Sequence, residues 1–96
     1  CLSYKDISYD AVLRKLQKGR QQILLSRREG SLLEFFIRNA GQTLPRSLLL
    51  SRVWGPDAEV EDGNLDNYVH FLRRRLKTVN SEVSLITVRG VGYVLE

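Results

Sequence analysis

Apolar residues change their spacing twice along the chain. From Leu2 to Leu25 they come in short β-prone pieces. Leu2 to Tyr4 and Ile7 to Tyr9 are parted at Lys5-Asp6, Asp10-Ala11 marks a turn, and Leu13 to Lys18 and Gln21 to Leu25 are parted at Gly19-Arg20. Short extended runs joined by tight turn signals predict a four-stranded antiparallel meander over residues 2–25. Val12-Leu13 and Ile23-Leu24-Leu25 break the in-out alternation, so the pattern leaves the strand registers open.

Beyond Leu25 the period lengthens to that of helices. Ser26-Arg27-Arg28-Glu29 has the form of a capping box, in which the Ser26 hydroxyl accepts from the Glu29 N–H and the Glu29 side chain reaches back. A first helix follows, with Leu32, Leu33, Phe35, Phe36, Ile37 and Ala40 on its apolar side and Asn39-Ala40-Gly41 as its stop. Phe35 and Phe36 have the chemistry of a base-stacking platform, but aromatics at helical spacing beside leucines predict core. Leu44-Pro45-Arg46 opens a second, shorter helix, which buries Leu48, Leu49, Val53 and Trp54 and ends at Gly55-Pro56.

The third helix, Gly63 to Val79, is the most regular stretch. At about 100° per residue, Leu65, Val69, Leu72 and Leu76 form one narrow apolar stripe. Asn67, His70 and Arg74 lie opposite it, with Lys77 and Thr78 one turn on and Phe71 at the boundary. Asn80-Ser81 ends the pattern, and Ile86 to Leu95 then alternates as a hairpin with Gly90 and Gly92 read as turn glycines. No strand-to-helix step follows these glycines and a third is missing, so they are not a nucleotide-binding fingerprint.

Composition narrows the function classes. Ninety-six residues with 43% hydrophobic and 27% charged positions describe one ordinary globular domain with a single modest core. No apolar run approaches the roughly 20 residues of a membrane helix, the N-terminus lacks a signal-peptide pattern, and the expected location is cytoplasmic. A first residue that is Cys rather than Met suggests a piece of a longer protein. One cysteine and one histidine give no basis for a disulfide, a metal cluster or a cofactor. Paired carboxylates with a convincing site are missing and Ser26 is explained as a cap, so an enzyme is not expected.

The net charge of +4 favours a polyanionic partner, and its distribution matters more than its size. Arg73, Arg74, Arg75, Lys77 and Arg89 crowd the C-terminal third, just after the acidic Asp57, Glu59, Glu61, Asp62 and Asp66. A helix held along one side and presenting amide, imidazole and guanidinium groups on the other can enter the major groove of DNA, where Arg pairs with guanine and Asn with adenine. The competing reading of Arg73-Arg74-Arg75 is a solvated charged face. A two-stranded tip carrying Arg89 beside that helix suits a neighbouring minor groove, against a simple exposed turn arginine. The acidic stretch from Gly55 is either a solvated loop that keeps acid away from DNA or a surface for another protein.

Taken together, these pieces resemble the DNA-binding effector domain of OmpR/PhoB-type response regulators, an α+β winged helix-turn-helix family. The resemblance runs from Leu2 to Leu95. It rests on Arg-Val-Trp-Gly at 52–55, Leu-Asp-Asn-Tyr-Val-His-Phe-Leu-Arg-Arg-Arg-Leu at 65–76 and Ile-Thr-Val-Arg-Gly-Val-Gly-Tyr at 86–93. It implies one domain over 1–96: an N-terminal four-stranded antiparallel sheet (2–25), a three-helix core (26–79) and a C-terminal β-hairpin wing (85–95). Base reading falls to Asn64, Asn67, His70, Phe71 and Arg74, with phosphate or anchoring contacts from Arg73. The resemblance assigns Thr87 to a phosphate, Arg89 to the minor groove, and Arg46, Ser47 and Trp54 to backbone phosphates.

The same resemblance makes 55–62, with Asp57, Glu59, Glu61 and Asp62, a loop that touches RNA polymerase. It implies a homodimer on direct repeats of double-stranded DNA. It also implies a phosphorelay from a sensor kinase through an upstream receiver domain, which has no counterpart in these 96 residues. Phe71 cannot donate to guanine; it either packs on a thymine methyl or sugar or partly rejoins the core. Pro45 stands where relatives often have a capping Ser. A winged helix used for protein interaction is the alternative from another class, with the acidic loop and basic helix as docking faces.

Overall fold

The computed structural model describes residues 2–54 and 62–96, with side chains for all of these except 62–64. The N-terminal meander is present as β1 (Leu2–Tyr4), β2 (Ile7–Asp10), β3 (Lys15–Lys18) and β4 (Gln21–Leu24), paired antiparallel in chain order. Strand β3 starts at Lys15 rather than Leu13. The Asp10 carboxylate accepts the Val12 and Leu13 N–H groups in an Asx turn, which holds those two apolar residues in an exposed loop. Opposite partners Tyr9 and Leu16, and Leu16 and Ile23, then face inward.

Helix α1 (Arg27–Arg38) is capped by Ser26, whose hydroxyl accepts the Glu29 N–H at 3.3 Å. The reciprocal half of the expected box is absent. The Glu29 side chain is 6% exposed and turns to Arg75 of the third helix, Oε2 to Nε 3.6 Å. The next residue, Gly30, lets α1 lie directly on the sheet, because a Cβ there would stand 2.0 Å from the Tyr9 hydroxyl. Leu32, Leu33, Phe36 and Ile37 are buried, as the period required, while Phe35 is half-buried beneath the Arg52 guanidinium.

Leu44–Pro45 does not open the second helix. It forms a two-residue strand, β5, and α2 (Arg46–Trp54) begins one residue later. Leu49 is buried and Leu50, Val53 and Trp54 are half-buried, whereas Leu48 is 40% exposed, because residue 48 lies about 100° off the 49–53 line. Helix α3 (Asp62–Thr78) buries Leu65, Val69, Leu72 and Leu76, each at most 3% exposed, as the apolar stripe predicts. Truncating Leu65, Leu72 or Leu76 to Ala costs about 2–5 kcal/mol in a well-packed core.

Strands β6 (Leu85–Val88) and β7 (Gly92–Leu95) are the expected hairpin, with β5 added along the outer edge of β7 in the order β5-β7-β6. The hairpin is therefore one half of a three-stranded sheet that also holds the entry to α2. Gly90, with φ +77°, sits in the turn closed by Val91 N–H to Val88 O. Gly92 is in the strand instead: a Cβ there would meet the Leu44 carbonyl oxygen at 1.9 Å, so only glycine lets β5 approach. No helix among the described residues is long and apolar enough to cross a membrane.

Candidate nucleic-acid interface

The basic triplet of α3 divides three ways because consecutive helical residues point about 100° apart. Arg75 turns inward to Glu29 of α1. Arg73 turns to the wing, where Nε donates to the Leu85 carbonyl and Nη2 to the Thr87 hydroxyl oxygen, each at 2.9 Å. Arg74 alone faces outward, with no side-chain partner among the described residues. It shares the exposed face of α3 with Asn67, His70 and Phe71. These four side chains stand together on one surface, as predicted.

Phe71 keeps one edge on the protein. Its ring meets Tyr68 edge-on at 5.7 Å, and Tyr68 meets Trp54 at 5.3 Å, forming an aromatic row from α2 to the outer face of α3. With 37% of its surface exposed, Phe71 is supported from below and open above. The far face of Trp54 carries the Arg28 guanidinium at 5.2 Å. Trp54 is thus half-buried at the end of α2, between two helices, with the Arg28 guanidinium over its ring.

The start of α2 is fixed by a three-residue cluster that sequence patterning does not show. Arg46 Nη1 donates to Asp66 Oδ1 at 2.6 Å and to the Tyr93 hydroxyl at 3.1 Å, and the Tyr93 hydroxyl donates to the same Asp66 oxygen. One residue from each of α2, α3 and β7 meets there. The Arg46 hydrogen bond, then that of Tyr93, holds the Asp66 carboxyl below its usual range. Burial pushes the Tyr93 phenol up, and donation to Asp66 adds to this, so at neutral pH it remains a protonated donor. The Arg46 guanidinium is therefore held by Asp66 and Tyr93, beside the exposed Ser47 of the first turn. Asp66 was legible only as one of an acidic cluster, and its place one residue before Asn67 was the available signal.

The wing runs alongside α3. Arg89 is exposed at its tip, and Val91 O accepts the Arg46 N–H, so the tip is tied back to α2. Thr87 accepts from Arg73 and keeps its own hydroxyl proton to donate outward. Asp57, Glu59 and Glu61 lie outside the described residues, as do the side chains of Asp62 and Asn64.

Residues 19–95 match the family described as transcriptional regulatory protein, C terminal. The chain belongs to this family. As a transcriptional regulatory C-terminal domain it is a DNA-binding module of the response regulator type, which is not an enzyme class. It is 40% identical over 94 residues to the response regulator MprA of Mycobacterium sp. (strain KMS), covering 98% of this chain and 41% of that one. It is 38% identical over 82 residues to the transcriptional regulatory protein DltR of Streptococcus agalactiae serotype III, covering 85% of this chain and 37% of that one. The chain thus spans about two fifths of the length of these curated relatives. The solved DNA-binding domain of the response regulator AdeR, in complex with an intercistronic region, superposes with a TM-score of 0.85 at 26% identity, covering 98% of this chain and 97% of that one. That likeness extends to the whole architecture: three helices, the four-stranded sheet and the wing.

Proposed function

We propose that this domain binds duplex DNA sequence-specifically as the output half of a two-component transcription regulator. Helix α3, residues 64–78 of it, enters the major groove and the wing brings Arg89 to the flanking minor groove. The observation that carries this reading is the outward face of α3. Asn67, His70, Phe71 and Arg74 stand on one side of a helix whose other side is locked into the core, and the Arg74 side chain has no partner among the described residues. A helix about 10–12 Å across fits a groove about 12 Å wide, and a side held rigid keeps its donors in register with base edges.

Within this reading Asn67 and Arg74 supply direct hydrogen bonds to bases, Asn64 and His70 flank them, and Phe71 offers its open face to a thymine methyl or a deoxyribose. Arg73 positions the wing and Thr87 donates to a phosphate. Arg46 acts through Asp66 and Tyr93 to set the entry of α2, where Ser47 approaches the backbone, and the indole edge of Trp54 does so at the other end of that helix. The unit spans 1–96, and the remainder of the regulator supplies the receiver that a sensor kinase phosphorylates. Assembly as a homodimer on direct repeats, and contact of 55–62 with RNA polymerase, complete the proposal and follow the family resemblance.

The test is selection of random duplex DNA by the 96-residue chain at near-physiological salt. The expected result is an enriched motif, and Arg74→Ala or Asn67→Ala then loses about 1–3 kcal/mol of discrimination at one position of it. Retention with no enriched sequence, or equal weakening of the variants on motif and random DNA, would sink the base-reading role. It would shift weight to a surface for protein docking.

A further inference from the structure

Between the C-terminal half of α3 and the segment 81–85 that leads into β6 lies a cleft of about 360 Å3. Its rim on α3 is His70, Arg74 and Lys77, spaced at i, i+4 and i+7 and so aligned along one flank of the helix. Facing them is Ser84, whose backbone is fixed by two hydrogen bonds with Glu96 and whose hydroxyl has no partner among the described residues. Leu76 and Val83 form an apolar floor. None of the residues lining the cleft is acidic.

Two neighbouring charged groups, Arg73 and Asp6, are already engaged, while the carboxylates of Glu82 and Glu96 are exposed beside the cleft. Arg73, at the inner edge, is held by Leu85 and Thr87. Asp6, behind Ser81, accepts from the Ser81 hydroxyl and the Glu82 N–H and pairs with Lys18. Arg74 and Lys77 are left as two exposed cations whose side chains have no partner among the described residues, over a partly apolar hollow. A bare anion would use only the rim. A sugar–phosphate unit uses both parts, with an anionic oxygen on a rim cation and its deoxyribose on the floor.

We propose that this cleft seats one sugar–phosphate unit of the duplex backbone bordering the major groove. Lys77 and the Ser84 hydroxyl hold the phosphate, and Leu76 and Val83 lie beneath the sugar. The inference rests on the groove-binding reading above and adds a contact to it that carries no base information. Arg74 at the rim remains free for bases, so Lys77 is the cation assigned to the phosphate. The seat stops α3 from sliding along the groove.

The test uses the 96-residue chain and the motif recovered by selection, built once as natural duplex and then with single neutral methylphosphonates at successive positions. Lys77→Gln is expected to weaken motif and random DNA by the same several-fold factor. It should also lower the slope of log K against log salt by about 1, while Lys77→Arg restores both. One methylphosphonate position should weaken the natural protein yet leave Lys77→Gln unaffected, and that position is the seated phosphate. Ser84→Glu, which puts an anion in the cleft, should weaken binding more than Ser84→Ala. If Lys77→Gln keeps the full salt slope, or every methylphosphonate acts equally on both proteins while the motif is still preferred, the cleft proposal is wrong and the groove reading stands. If no DNA is preferred at all, both fall together.

Discussion

Arg73, Arg74 and Arg75 are one residue type in three environments, and only the environment gives each a role. Arg75 meets a buried carboxylate, Arg73 binds a carbonyl and a hydroxyl, and Arg74 is exposed. The two hairpin glycines differ in the same way. Gly90 needs its conformation, φ +77° with open space around a Cβ, whereas Gly92 needs room, with the Leu44 carbonyl where a Cβ would go. Gly90→Ala is expected to cost about 1 kcal/mol through the turn. Gly92→Ala is expected to cost about 2–3 kcal/mol or more through forced separation of β5 from β7. Thermal unfolding checks the order, since 1 kcal/mol moves the midpoint of a domain of this size by about 4–8 °C. Equal losses would mean that β5 yields without cost.

At the scale of elements, Arg73 joins α3 to the wing. A family resemblance alone allows Arg73 to touch phosphate or to anchor, and the geometry is that of an anchor. Two hydrogen bonds from a charged donor contribute about 1.5–3 kcal/mol each, less what solvent returns at a partly exposed site. Arg73→Ala is therefore expected to loosen the wing, seen as faster amide exchange over 85–95, and to weaken binding to motif and random DNA alike. Arg73→Lys discriminates the two roles. A lysine keeps the charge that a phosphate requires but cannot bridge Leu85 and Thr87 with a planar fork, so it should fail to restore slow exchange. Full recovery in the lysine variant would return Arg73 to the phosphate role.

At the scale of the molecule, two carboxylates fasten distant parts. Asp66 links α3 to α2 and β7. Asp6, in the β1–β2 turn, links the N-terminal sheet to the residues after α3. Burial pushes the Asp6 carboxyl up, but the Ser81 hydroxyl, the Glu82 N–H and Lys18 together hold it below its ordinary value of 3.8. Asp66 is lowered as well, chiefly by Arg46. A carboxylate whose folded pKa is depressed adds stability that is complete above its unfolded value and is lost as pH falls through the folded one. Resistance to urea is expected to be level from neutrality to about pH 5 and to fall below about pH 4, with a shallower fall in Asp6→Asn. An acid slope identical in Asp6→Asn would remove Asp6 from that transition.

The sequence alone determined what depends on local period and local chemistry. The number and order of the meander's strands, the Ser26 cap, the α3 stripe and the outward face bearing Asn67, His70 and Arg74 follow from local spacing, whereas the start of β3 at Lys15 follows from the Asp10 turn that holds Val12 and Leu13 out of the strand. Tertiary structure decided whatever depends on two elements meeting. Leu44–Pro45 became a strand because β7 offered it an edge. Gly92 was fixed by a carbonyl 48 positions earlier in the chain, and Glu29 left its cap for Arg75 of another helix. Period specifies which way a side chain points, but its partner is set by the packing of elements remote in sequence. That is why the outward face of α3 was legible from residues 65–76 while its supports, Asp66, Tyr93 and Arg73, were visible only in the fold.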